Sequence, residues 1–101
     1  MNIETLENML QQGQDNFLLR FGLGQAYLKN KAHDQAIPHL HKAIEFDPKN
    51  SAARKLLGKA YAAVGKTELA RATYEQGIAV AEKNGDIQSA KEMKVFLKRL
   101  G

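Results

Sequence analysis

Apolar residues recur along this chain at helical spacing from one end to the other. Ile3, Leu6 and Leu10 lie three and four apart and stripe one face of residues 2–12. Ile87, Ala90, Met93, Leu97 and Leu100 do the same over 86–100, with Lys91, Glu92, Lys94, Lys98 and Arg99 covering the other side. Between these flanks the pattern predicts four more helices, over about 17–30, 34–46, 51–64 and 67–83. Helix breakers lie at the expected ends. Asp47-Pro48 closes one helix, because the residue before a proline is pushed out of the α region. Gly65 suits a left-handed C-cap. Asn50-Ser51 and Lys66-Thr67-Glu68 supply N-cap chemistry. Pro38 is expected within the first turn or so of its helix, where a missing N–H costs least.

The chain also repeats itself. A shift of thirty-four residues lays Asn16 on Asn50, Arg20 on Arg54, Leu23-Gly24 on Leu57-Gly58 and Ala26-Tyr27 on Ala60-Tyr61. The same shift pairs Ala36 with Ala70, Ile44 with Ile78 and Lys49 with Lys83, and Asn84 continues the asparagine series. A period of this length signals a helical array. Each unit, 16–49 and 50–83, reads as two helices. Leu6 falls in register with Leu40 and Tyr74, and Leu10 with Ile44 and Ile78. The segment 2–12 therefore takes the place of a second-helix half repeat, and 86–100 is expected to seal the open end.

These residues resemble the tetratricopeptide signature. It is carried by Leu23-Gly24-x-x-Tyr27, Ala36, Leu40, Ala43 and Pro48, and again by Leu57-Gly58-x-x-Tyr61, Gly65, Ala70 and Tyr74. The resemblance implies an all-α fold: antiparallel helix–turn–helix repeats stacked in a right-handed superhelix, one domain over 1–101. Gly24 and Gly58 would then lie where two helices cross too closely for a Cβ, with Ala36 and Ala70 as small partners. Arg20 and Arg54 depart from the family pattern, which often has a large apolar residue there. So do Gly77, where alanine is usual, and Glu82, where proline is usual, so the second helix of that unit should run longer.

Composition narrows the function. The chain contains no cysteine, which excludes disulfides, thiolate metal sites and cysteine nucleophiles. His39 and His41 are two apart, roughly 200° around a helix, and cannot share a metal. His33 has no dependable carboxylate at ligand spacing, so all three histidines read as solvated. Gly22-Leu23-Gly24 follows no strand and precedes no Gly-Lys-Ser/Thr, so it is no phosphate loop. Ser51 and Ser89, the only serines, have no ordered base nearby in sequence. No catalytic residue, metal or cofactor is expected. The N-terminal residues Met1-Asn2-Ile3-Glu4-Thr5 lack the features of a signal peptide. No apolar run approaches the eighteen or so residues of a membrane span. A cytoplasmic protein is expected.

The resemblance places a partner in a groove lined by the first helix of each unit. By register that wall holds Leu18, Phe21, Gln25 and Leu28, then Ala52, Lys55, Lys59 and Ala62, with Met93 or Phe96 from the last helix. The expectation is a non-enzymatic module that binds a peptide or protein, with acidic side chains meeting Lys55 and Lys59. Chaperone-binding relatives clamp a C-terminal carboxylate with lysine, asparagine and arginine. The matching positions here are Phe21, Gln25, Leu56, Asp86 and Ala90, none with that chemistry. The alternative is a self-assembling unit such as a homodimer, since two full repeats are few. Nucleic-acid binding is less favoured. Residues 51–101 carry a net +5 against −1 for residues 1–50, but aromatics among those cations are sparse.

Overall fold

The computed structural model describes residues 2–101, so Met1 lies outside the described residues. Six helices follow one another: α1 (Ile3–Gln11), α2 (Phe17–Lys29), α3 (His33–Phe46), α4 (Ser51–Ala63), α5 (Thr67–Asn84) and α6 (Ile87–Arg99). Four of them begin on a side-chain cap. Asn2, Asn16 and Asn50 accept the backbone N–H groups of Thr5, Leu19 and Ala53 at 2.8, 2.9 and 3.1 Å. Asp86 does the same for Ser89. Each satisfies one of the N–H groups a helix start leaves unpaired.

The starts of α3 and α5 differ from expectation. Ala32 and Lys66 make no side-chain cap, and Thr67 is already the first helical residue. The reason is the residue at each cap position: alanine has no side-chain acceptor and the lysine ammonium can only donate. The turn before each is tight. Lys31 and Gly65 stand in the left-handed region at φ 60° and 81°. Behind them the backbone N–H of Ala32 donates to the Tyr27 carbonyl and that of Lys66 to the Tyr61 carbonyl, at 2.8 and 2.9 Å. Because α3 begins at His33, Pro38 is its sixth residue rather than a first-turn residue. The bond it forgoes would go to the Asp34 carbonyl, and both residues are exposed, so that carbonyl is open to solvent. At the far end α5 runs eighteen residues against fourteen for α3, since Glu82 replaces the proline that would stop it. Asn84 is the last residue of α5 and donates its side-chain amide to the Lys49 carbonyl at 2.6 Å. The capping role passes two residues on, to Asp86.

Each helix packs on the next, and α2 also touches α4, as α4 touches α6. No matching contact joins α1 to α3 or α3 to α5. The helices α2, α4 and α6 therefore draw together while their partners splay, which makes the α2/α4/α6 side the concave one.

The helix pairs close through glycine. A Cβ on Gly24 would lie 2.6 Å from Leu40 Cγ, and one on Gly58 2.6 Å from Tyr74 Cδ1. Between the second unit and the last helix another glycine serves: Gly77 on α5 faces Met93 of α6, whose Sδ would lie 2.5 Å from an added Cβ. Leu40, Tyr74 and Met93 are buried there, with Ala36, Leu57, Ala60, Tyr61, Ala70, Ala81 and Ala90 around them. A smaller cluster of Leu6, Leu19 and Leu23 holds α1 on α2, and Tyr27 packs against both.

The two arginines stay polar and find partners. Arg54 donates to the Pro48 carbonyl. Arg20 holds Asp15 with two hydrogen bonds, at 2.7 and 2.9 Å, and donates to His39 Nδ1 at 3.1 Å. Since arginine can only donate, His39 Nδ1 accepts and its proton sits on Nε2, 3.7 Å from Glu7 of α1. Tyr27 donates to the other Glu7 oxygen at 3.1 Å and stacks on His39 with ring centroids 5.6 Å apart. These contacts carry α1 across to α3, which its backbone does not reach. The solvated reading fails for two of the three histidines: His39 is mostly buried and His33 Nδ1 is buried, whereas His41 is exposed and shares a hydrogen bond with the Tyr61 hydroxyl.

Three expectations follow. Gly58→Ala overpacks the Tyr74 ring at a cost of roughly 1–3 kcal/mol, against a helix-propensity gain of about 1 kcal/mol. Gly22→Ala meets only Leu6 Cδ1 at 3.9 Å, so the gain stands alone. Thermal melts should show the first variant less stable than wild type and the second more stable, and matching shifts would contradict the crossing. Lys31→Gly relieves a left-handed strain of about 1–2 kcal/mol, partly offset by glycine's greater freedom when unfolded. Its melting temperature should rise, and a fall would place the strain elsewhere. Finally, burial holds His39 below the ordinary imidazole pKa, with Arg20 adding to this and Glu7 and Asp15 opposing it. The unfolded chain takes up a proton near pH 6.5 that the folded chain refuses until lower pH. Stability is full above that point and falls as pH drops toward the folded pKa. From about pH 7.5 to about pH 5.5 the melting temperature should fall in wild type and fall less in His39→Gln, with equal slopes counting against this role.

Candidate partner-binding face

The concave wall is built from the faces of α2, α4 and α6 that the glycine crossings leave free. On α2, Leu18, Phe21, Gln25 and Leu28 are three, four and three residues apart and share one stripe. Leu18 lies in the first turn and is 78% exposed. Phe21 is half-buried and stacks on Phe17, with ring centroids 5.3 Å apart. Neither lines a depression shared with α4.

The structure brings Gln25, Leu28, Lys59, Ala62 and Phe96 together in two depressions, and Ala52 and Lys55 line neither. The first, about 490 Å³, lies between α2 and α4 and is lined by Gln25, Leu28, Lys29, His33, Leu56 and Lys59. The second, about 380 Å³, lies between α4 and α6 and is lined by Lys59, Ala62, Tyr74, Phe96, Arg99 and Leu100. Lys59 belongs to both. Of the two last-helix residues, Phe96 reaches the wall, while Met93 is fully buried against Gly77. Register alone does not place Lys29, His33, Leu56, Tyr74, Arg99 or Leu100 on the wall. Arg99 and Phe96 depend on where α6 starts, which the thirty-four-residue period misplaces by two. His33 sits in a turn, where helical register says nothing.

The two lysines of α4 differ in their surroundings. Lys55 is partly buried, and its ammonium lies 3.0 Å from Glu92 Oε1 of α6. Lys59, one turn on, is exposed and lies over the Phe96 ring, 5.2 Å from its centroid. Phe96 in turn meets Tyr74, whose hydroxyl pKa is pushed up to about 12 by burial. Asp86 is held below the usual carboxylate range by hydrogen bonds from Ser89 and Ser51. His33 Nδ1, at the first depression, is a buried side-chain polar atom with no partner among the described residues. Among those residues no group of three His, Asp or Glu side chains converges on a metal position. No helix there is long and apolar enough to cross a membrane.

Two family models described as tetratricopeptide repeat match the chain, over residues 28–93 and 3–51. A TPR repeat-containing protein of Pseudomonas aeruginosa is 53% identical over 99% of this chain and 95% of its own length. A solution structure of a Bordetella parapertussis protein superposes with a TM-score of 0.85 at 49% identity, covering 97% of this chain and 85% of that one. A crystal structure of a tetratricopeptide repeat domain protein from Salinibacter ruber gives 0.77 at 28% identity, over 85% and 96%. Such repeats serve broadly as protein–protein interaction modules. With its glycine crossings, alternating helix layers and these matches, the chain belongs to the tetratricopeptide-repeat family.

Proposed function

We propose that this protein is a non-enzymatic interaction module that holds a peptide or protein segment along the α2/α4/α6 wall. The observation that carries this reading is the pair of depressions between successive wall helices, joined at Lys59. Their walls mix apolar side chains with a few polar ones, the composition of a surface built to take up another chain. The fold's role as an interaction module supports the same reading, because Leu28, Leu56, Phe96 and Leu100 of the wall are only partly buried against the core. Leu18 and Phe21 would extend the contact along the first turns of α2.

The test uses two exposed wall residues whose substitution leaves the core untouched. Gln25→Glu/Lys59→Glu reverses the character of the first depression, while Glu75→Ala changes an exposed residue of α5, outside the wall. Partners captured by the wild-type protein from lysate of its source cells should be lost by the double variant and kept by Glu75→Ala. Circular dichroism should remain helical in all three. A partner retained by a folded double variant would move the binding site off this wall.

A further inference from the structure

The charges on the wall single out one lysine. Lys55 is already met by Glu92, so its charge is spent inside the molecule. Lys59 forms no ion pair among the described residues. Its ammonium rests on the Phe96 ring, a weaker contact than a charge-assisted hydrogen bond to a carboxylate. Lys29 lines the first depression beside it and Arg99 the second, and no acidic side chain lines either. Each depression also has an apolar seat, Leu28 with Leu56 on one side of Lys59 and Phe96 with Leu100 on the other.

Resting on the groove reading above, we propose that the wall recognises an internal acidic side chain flanked on both sides by apolar ones. Lys59 takes the carboxylate, and the two depressions take the apolar neighbours. The three cations supply charge complementarity and faster encounter with acidic segments. The apolar seats supply most of the area an anchor residue can bury.

The carboxylate belongs to a side chain rather than to a chain end. The wall continues on both sides of Lys59, so a segment can run through. The positions that would clamp an end carry no cation: Phe21, Gln25 and Leu56 on α2 and α4 and, with α6 counted from its cap Asp86, Gln88 and Glu92. Glu92 is itself an anion, paired with Lys55, and would repel a second carboxylate. The apolar seats also favour a peptide over a nucleic acid, whose phosphates would find three cations and no stacking platform beyond Phe96.

The experiment is selection from an oriented peptide library with acetylated and amidated ends and a fixed central glutamate, followed by fluorescence anisotropy on selected peptides. The folded full chain is used as wild type, Lys59→Gln and Lys55→Gln. Wild type should enrich apolar residues on both sides of the glutamate. Replacing that glutamate by glutamine should weaken binding by about tenfold, as for one lost charge-assisted bond. Lys59→Gln should lose a similar factor and no longer distinguish glutamate from glutamine, while Lys55→Gln stays within about twofold of wild type. Apolar enrichment with no preference for glutamate would overturn the proposal and leave the groove reading standing. Selected peptides insensitive to Gln25→Glu/Lys59→Glu would overturn the groove reading itself. The proposal also fails if Lys55→Gln is as damaging as Lys59→Gln, or if only free-ended peptides bind. It fails as well if a random single-stranded oligonucleotide displaces the peptide at equal concentration.

Discussion

The close crossing of a glycine on one helix by a large side chain on its partner is the contact on which this architecture depends. At Gly24 and Gly58 the absent Cβ lets Leu40 and Tyr74 lie against bare backbone. Those side chains are then buried completely, where dispersion contacts are dense. Each crossing fixes the two helices of a unit face to face. The opposite flank of α2 and α4 is left out of these crossings, and successive first helices meet along it. The concave wall is thus a by-product of where glycine stands, and the depressions lie where two such helices meet without filling the gap.

The end of the stack uses a different contact. Counted from the capping residues Asn16, Asn50 and Asp86, Lys94 of α6 stands where Gly24 and Gly58 stand in α2 and α4. Lys94 pairs with Glu82 at the surface. The α5/α6 contact joins the second unit to the last helix, as α3/α4 joins the two units, and in it Gly77 of α5 faces Met93 of α6. The wall nonetheless continues onto α6, because Phe96 and Arg99 face α4.

What could be read in the sequence was what recurs at short range. The Leu-Gly-x-x-Tyr pair announced itself because two copies stand in phase, and helical stripes followed from apolar spacing alone. Gly65 marked its turn because only glycine is at ease there, whereas Lys31, in the same conformation, gave no signal. The thirty-four-residue register located α2 and α4, and with them Gln25, Leu28, Lys59 and Ala62. It failed at α6, since α5 outruns α3 and shifts the next cap by two residues. With that shift went the Lys55–Glu92 pair, which removes one of two expected cations from the wall. The contacts of Glu7 and Arg20 with His39 were equally invisible. They join residues far apart in sequence on three helices, and nothing in local pattern distinguishes a half-buried histidine from a solvated one.

The claim that a partner sits on the α2/α4/α6 wall is tested most directly by amide chemical-shift mapping of the isotopically labelled protein with an end-blocked acidic–apolar peptide. Binding on the wall predicts shifts that cluster at Gln25, Leu28, Leu56, Lys59 and Phe96, with Lys42 and Glu75 on the other helix layer unmoved. Shifts centred on α3 and α5 with the wall residues silent would contradict it.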